Sequence, residues 1–215
     1  KNLNQFGKRI LSNPKKTILI AGGAKIADKI GILKQFVSSG IKLIFIGGKM
    51  VNSFLLAESL KDKIGSLKLQ DIPVSLMEKS EEKNQALLDE IKLASEIIAL
   101  SKKSNVIIMF PEDYKVVKEY KDTEFSIKAS PDFSKELQLD LGPRTISGFS
   151  KNLLDGVENI FWNGPLGAYD HPACASYAEG SMELAKLLFA LTLENERVSV
   201  VIGGGDSAAI LNKFN

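Results

Sequence analysis

The sequence predicts an α/β fold in which helices cover both faces of a parallel sheet. Short β-branched apolar runs alternate with longer helical stretches along the 215 residues. The apolar runs are continuous, which is typical of parallel strands buried on both faces. Four of these runs end in glycine. No linker, repeat or low-complexity tract interrupts the pattern, so we expect one Rossmann-like, three-layer α/β/α domain over residues 1–215.

The individual elements follow this alternation. Buried strands are predicted at 17–21, 42–46, 105–110, 157–162 and 198–202, with short strands near Val116 and at 125–128. Helices are predicted at about 2–13, 25–39, 51–60, 81–103, 143–154 and 173–193, and a last helix from Ser207. Between Pro111 and Asp140 the chain is otherwise irregular.

Composition excludes several classes of protein. Apolar residues make up 44% and charged residues 25%, as in soluble globular proteins. A net charge of +2 gives no reason to expect nucleic acid or an anionic membrane as a partner. No apolar run is long enough to span a membrane. The single cysteine excludes an internal disulfide, and a single histidine excludes a zinc site with several histidine ligands. The low cysteine content favours a reducing compartment, so we expect a cytoplasmic location. We also expect the protein to be a monomer.

Glycines follow four of the predicted strands, where ligands bind in open parallel sheets. They are Gly22-Gly23, Gly47-Gly48, Gly164 with Gly167, and Gly203-Gly204-Gly205, and a further glycine, Gly142, begins a helix. A single glycine pair after a strand is more often a tight turn. Four at one edge of a sheet favour a rim where backbone N–H groups approach a polyanion.

Charged residues lie beside two of these turns. Lys25 and Lys29 are four residues apart in a predicted helix, so they share a face and a phosphate between them would relieve their repulsion. The alternative is two solvated lysines. Asp206 is either an acid in the first turn of a helix or a Mg²⁺ ligand on a nucleotide. Ser207 either caps that helix or binds a phosphate oxygen.

Two common nucleotide fingerprints are weak or absent. The chain has no GxxxxGK[ST] sequence, which excludes a P-loop. Gly203, Gly205 and Ala208 match the loose dinucleotide pattern G-x-G-x-x-A. The position of the acidic residue that would support this pattern, about twenty residues later, is not part of this sequence, which stops at Asn215. A nicotinamide-dependent oxidoreductase domain is therefore an alternative that rests on this loose match.

Four segments together resemble the C-terminal, nucleotide-binding half of the phosphoglycerate kinase family. They are GGAKIADKI at 22–30, LDLGP at 139–143, FWNGPLG at 161–167 and GGGDSAA at 203–209. Weaker support comes from IGGKM at 46–50 and FPEDY at 110–114. The segments occur in the family's order and spread over nearly the whole chain.

The resemblance implies reversible phosphoryl transfer between 1,3-bisphosphoglycerate and ADP, which gives 3-phosphoglycerate and ATP. It implies that Lys25 and Lys29 contact phosphates in catalysis and that Asp206 holds Mg²⁺ on the nucleotide. The implied nucleotide-binding set, glycine rim included, is Gly23, Ala24, Lys25, Lys29, Gly47, Gly48, Gly142, Asn163, Gly164, Pro165, Tyr169, Asp170, Gly203, Gly204, Gly205, Asp206 and Ser207.

The sequence departs from the family's pattern in three respects. Lys49 replaces a third glycine near the expected adenine, and Asp170 replaces a glutamate that contacts the ribose. The family's N-terminal half, which binds the phosphoglycerate, and its closing glycine-rich segment have no counterpart here. We therefore expect this chain alone to bind Mg-ADP or Mg-ATP without turnover. The alternative is a stand-alone or degenerate nucleotide-binding module without a transferase role.

Overall fold

The computed structural model describes residues 3–73, 76–77, 80–132, 135–149, 153–172 and 174–212. Parts of three predicted helices, at residues 2, 150–152 and 173, lie outside the described residues. Within the described part of the chain, the architecture is the predicted three-layer α/β fold. It carries one addition, a small antiparallel sheet.

In the described residues, eight strands form two sheets. They are β1 (Thr17–Ala21), β2 (Leu43–Ile46), β3 (Ile107–Met109), β4 (Tyr114–Val117), β5 (Ser126–Lys128), β6 (Leu137–Leu141), β7 (Asn159–Asn163) and β8 (Ser199–Gly203). Five of them form a parallel sheet in the order β3-β2-β1-β7-β8, which confirms the predicted parallel sheet. The strand order reverses between β1 and β7, and ligands bind at such a position in doubly wound sheets.

Helices cover both faces of the parallel sheet, as the continuous apolar strands predict. They are α1 (Leu3–Ser12), α2 (Ile30–Ser38), α3 (Val51–Ser59), α4 (Glu81–Lys103), α5 (Pro143–Gly148), α6 (Glu179–Glu194) and α7 (Gly205–Asn212). Leu19 and Ala21 of β1 pack with α2, α3 and α4, whereas Ile18 and Ile20 pack with α5, α6 and α7. Successive side chains of a strand point to opposite faces, so one strand contributes to both cores.

The small sheet is antiparallel, in the order β5-β4-β6. Strands β4 and β5 correspond to the short predicted strands, whereas β6 lies where an irregular chain was predicted. Its sequence LQLDL alternates apolar and polar residues, which is typical of a half-buried strand. The polar members are Gln138, which is half-buried, and Asp140, which is buried, and only the tertiary structure explains their positions.

A buried ion-pair cluster ties the small sheet to α6. Lys115 of β4 donates hydrogen bonds to the backbone oxygen of Ser176, at 2.7 Å, and to the carboxylate of Glu179. Its Nζ also lies 3.7 Å from Oδ2 of Asp140, and both side chains are almost fully buried. The Gly180 N–H donates to the same Oδ2 at 2.9 Å. These contacts fix β6 against the first turn of α6.

Burial raises the pKa of Asp140 from 3.8 to about 7, against the opposing effects of two backbone hydrogen bonds and of Lys115. Between these two pH values the folded state keeps a proton that the unfolded state has lost. The free energy of unfolding therefore falls as pH rises through this window, by on the order of 1 kcal/mol per pH unit.

Asp140→Asn removes this titration and should flatten the decline. Urea unfolding at about pH 4.5 and about pH 6.5 measures the effect, because the wild-type protein loses more stability over that interval than the variant. Asp155→Asn, at an exposed carboxylate, is the matched control and should keep the wild-type slope. Equal slopes in the wild-type protein and Asp140→Asn would contradict this assignment.

Candidate functional site

The turns that follow β1, β2 and β7 pack backbone against backbone where the strand order reverses. A Cβ atom at Gly22 would lie 2.1 Å from the carbonyl oxygen of Pro165, and one at Gly164 would lie 2.3 Å from that of Gly22. At Gly48 it would lie 2.6 Å from the nitrogen of Gly23. These separations leave no room for any side chain, so the three positions require glycine. We call this packing the glycine interlock.

Hydrogen bonds within the interlock occupy its amides. The N–H of Gly22 donates to the oxygen of Asn163 at 2.9 Å, and the N–H of Gly23 donates to that of Pro165 at 2.8 Å. The N–H of Gly48 donates to the oxygen of Leu166 at 3.0 Å. These three amides therefore already have acceptors within the protein and hold the three turns together. Contact between the glycine rim and a polyanion stays a prediction.

The turn after β8 differs, because it leads directly into a helix. Gly204 has φ +92°, a conformation that glycine adopts readily, and α7 begins at Gly205. The first amides of a helix have no acceptor within it and carry the positive end of its dipole. Asp206 lies exposed in this first turn, and its Oδ1 accepts a hydrogen bond from the Tyr169 hydroxyl at 3.2 Å.

Ser207 links α7 to the interlock. Its side chain is fully buried, and its Oγ accepts a hydrogen bond from the N–H of Gly164 at 2.7 Å. This contact is neither of the two roles that the sequence left open for Ser207, a helix cap or a ligand of a phosphate oxygen, and it joins α7 to another turn. The start of α7 is thereby fixed relative to the turn after β7.

A cation stands beside the start of α7. The Lys29 ammonium donates a hydrogen bond to Oδ1 of Asn163. The Asn163 side chain lies against the last turn, because Cβ atoms at Gly203 and Gly204 would meet it at 3.2 and 3.4 Å. Lys29, Asn163, Gly204 and Asp206 thus form one cluster at the end of β7 and β8, which we call the cationic corner.

Lys25 does not share a helix face with Lys29, and that prediction is wrong. The helix α2 begins at Ile30, five residues later than predicted. The reason is Glu90 of α4, whose carboxylate accepts hydrogen bonds from the N–H groups of Ile26 and Ala27. These contacts hold the preceding residues as a loop, on which Lys25 is exposed.

A cavity of about 370 Å³ lies between the interlock and β6. Asp206, Tyr169 and Asp170 line it, and the chain from Leu137 to Leu141 provides another wall. Lys49, which departs from the family's glycine, is exposed and also lines this cavity. The sequence-predicted residues in its wall are Gly23, Ala24, Gly48, Pro165, Tyr169, Asp170 and Asp206. Asp206 belongs to both the cavity and the cationic corner.

Two predicted glycines lie elsewhere and serve packing. A Cβ atom at Gly47 would lie 2.6 Å from the Leu166 side chain. One at Gly142 would lie 2.3 Å from the carboxylate carbon of Asp113. That carboxylate accepts hydrogen bonds from the N–H groups of Arg144 and Thr145 in the first turn of α5, with N···O distances of 3.0 and 2.9 Å. Gly142 therefore makes room for a helix cap.

Sequence reasoning missed the wall that faces the interlock. Gln138, Leu139 and Asp140 of β6 line the cavity, and so does Asn52 in the first part of α3. The alternation of LQLDL could have identified β6 as a strand. Its position across from the glycine turns could not be read from the sequence, because two sheets must pack before the cavity exists.

A metal at this site would depend mainly on the ligands that a nucleotide brings. Among the residues described, no three His, Cys, Asp or Glu side chains lie together as a metal site. Mg²⁺ in nucleotide sites is usually held by one or two carboxylates together with phosphates and water. The exposed carboxylate of Asp206 beside a helix N-terminus fits that arrangement.

In the same described part of the chain, no helix is both long and apolar enough to cross a membrane.

Comparison with known proteins agrees with the family resemblance seen in the sequence. The phosphoglycerate kinase family model matches residues 1–215. The phosphoglycerate kinase of Dictyoglomus turgidum is 34% identical over 213 residues, which are 98% of this chain and 47% of the relative. That of Staphylococcus haemolyticus is 33% identical over 205 residues, or 93% and 43% of the two chains. The chain therefore spans about half the length of these relatives.

Solved structures give the same result. Phosphoglycerate kinase from Coxiella burnetii superposes with a TM-score of 0.71 at 27% identity, and the match covers 99% of this chain and 48% of the other. The Pyrococcus horikoshii enzyme has a TM-score of 0.66 at 24% identity, with 99% and 49% covered, which supports the fold alone. On the family match over all 215 residues, this chain belongs to the phosphoglycerate kinase family.

Proposed function

We propose that this chain binds Mg-ADP and Mg-ATP as the nucleotide-binding part of a phosphoglycerate kinase. The whole protein would transfer a phosphoryl group reversibly between 1,3-bisphosphoglycerate and ADP, in the cytoplasm and as a monomer. The observation that carries the proposal is the position of Asp206. It joins a largely apolar cavity to a corner that holds a lysine and the start of a helix.

In this proposal the cationic corner binds the phosphates. The first amides of α7 donate to phosphate oxygens, and the helix dipole favours their negative charge. The Lys29 ammonium, oriented by Asn163, adds a full positive charge at the same place. Lys25, exposed on the loop that precedes Lys29, is proposed to reach the terminal phosphate. Phosphoryl transfer needs mainly positioning and charge neutralisation, which these groups provide.

The cavity takes the nucleoside. Leu139 and Leu166 offer apolar surface to the base, and Asp170, exposed at the end that Asp206 shares, is proposed to accept the ribose hydroxyls. Asp206 would hold Mg²⁺, which supplies charge neutralisation on the phosphates when it is bound. The Tyr169 hydroxyl orients the Asp206 carboxylate through its hydrogen bond at 3.2 Å.

Replacing Asp206 by asparagine tests the metal assignment. We expect Asp206→Asn to weaken binding of Mg-ADP about tenfold, the loss of one charge-assisted interaction. Binding of ADP in EDTA should be unchanged or tighter, because a carboxylate that repels phosphate has been removed. Isothermal titration calorimetry with and without Mg²⁺ measures both affinities.

The control for this experiment is Asp155→Asn. Asp155 is an exposed acid that precedes β7, at the opposite edge of the sheet. The Asp155→Asn substitution should leave the affinities for Mg-ADP and for ADP in EDTA at the wild-type level. If Asp206→Asn weakened ADP equally with and without the metal, the metal role of Asp206 would be refuted.

A turnover assay tests whether this chain can transfer a phosphoryl group without the half of its relatives that it does not cover. We propose that the phosphoglycerate-binding groups lie in the half of the relatives that this chain does not cover. The purified 215-residue chain should therefore bind Mg-ATP but transfer no phosphoryl group to 3-phosphoglycerate. A coupled assay for ADP release, calibrated with a complete phosphoglycerate kinase, measures this. Turnover by the 215-residue chain would overturn this part of the proposal.

A further inference from the structure

Unpaired acceptors are concentrated in the wall of the cavity. Asn52 Oδ1 and Gln138 Oε1 are buried and accept no hydrogen bond within the described residues. Both residues line the one cavity that the interlock and β6 enclose. A buried acceptor without a donor is destabilising, because it has lost its hydrogen bonds to water and no protein hydrogen bond replaces them. A ligand with N–H groups could supply the missing donors.

Gln138 is the acceptor whose orientation is best defined. Its Nε2 donates a hydrogen bond to the backbone oxygen of Gly48 at 3.2 Å. Reversing the amide would place two oxygen atoms against each other, so this contact decides which end is oxygen. Gly48 is itself fixed, since its N–H donates to Leu166 in the interlock. The Gln138 amide therefore has a rigid support.

The position of Gln138 corresponds to the base end of a bound nucleotide. Gly48 follows β2, and Asp206 follows β8, three strands away in the order β2-β1-β7-β8. At about 4.8 Å per strand the two ends of the cavity are roughly 14 Å apart. With the phosphates at α7, the base lies near Gly48 and Gln138. Leu76 and Leu139 provide apolar surface in the same wall.

We propose that Gln138 determines base specificity by accepting a hydrogen bond from an exocyclic amino group at C6 of a purine. The inference rests on the proposed nucleotide binding and adds a residue that selects adenine. Because Oε1 is shielded from solvent, the contact requires a small outward shift of the surrounding wall as the base enters. A purine with hydrogen at C6 leaves Oε1 unpaired, and one with a carbonyl there would repel it.

Two diphosphates that differ only at C6 test the proposal. ADP and purine riboside 5′-diphosphate are titrated calorimetrically into the wild-type chain with Mg²⁺. We expect the analogue to bind about fivefold more weakly, as the loss of one neutral hydrogen bond predicts. In Gln138→Met, which keeps the length of the side chain and lacks the acceptor, the ratio should fall to about one. The substitution should weaken the binding of ADP and leave the binding of the analogue unchanged.

The matched control is Gln85→Met. Gln85 is exposed on α4, where its amide contacts Asp89, and its replacement should leave the ratio unchanged. A wild-type ratio near one, or an unchanged ratio in Gln138→Met, would overturn the role of Gln138. The wild-type comparison stands even if Gln138→Met does not fold. If the wild-type chain bound neither diphosphate, the proposed function itself would fail.

Discussion

The contact of backbone with backbone in the glycine interlock is the constraint on which the rest of the site depends. Three turns at the carboxyl edge of the sheet approach so closely that Gly22, Gly48 and Gly164 have no space for a Cβ atom. Hydrogen bonds between the turns then fix their relative positions. Any side chain at these positions would separate β1 from its neighbours at the point where the strand order reverses. The cavity, whose floor these turns form, would change shape with them.

The interlock also affects which backbone donors a ligand could use. The amides of Gly22, Gly23 and Gly48 are occupied, whereas the first amides of α7 have no acceptor within their helix. Ser207 fastens α7 to the turn after β7. Lys29 reaches the same place through Asn163. Apolar surface and charge are thereby separated along one cavity, with Asp206 at the boundary. This separation suits a ligand that has a flat apolar ring at one end and phosphates at the other.

The sequence predicted the layers of the fold because continuous apolar strands and helical spacing are local signals. It also predicted that the glycines cluster at one edge, since the ends of parallel strands must meet there. It did not predict that these glycines pack the turns against each other, because the contact between Gly22 and Pro165 joins residues more than a hundred positions apart. The start of α2 was wrong for a similar reason, as Glu90 lies on a different helix. Strand β6 was missed although LQLDL alternates apolar and polar residues, but its position across from the glycine turns exists only once the two sheets have packed.

A crystal structure of this chain with Mg-ADP is the measurement that tests the central claim most directly. The account predicts phosphates at the first turn of α7, beside Lys29 and Asp206, with the base against Leu139 and the interlock hydrogen bonds intact. Phosphates bound to the amides of Gly22 and Gly23, with the hydrogen bonds to Asn163 and Pro165 broken, would contradict it. In that case the glycines would serve the ligand rather than the packing of the turns.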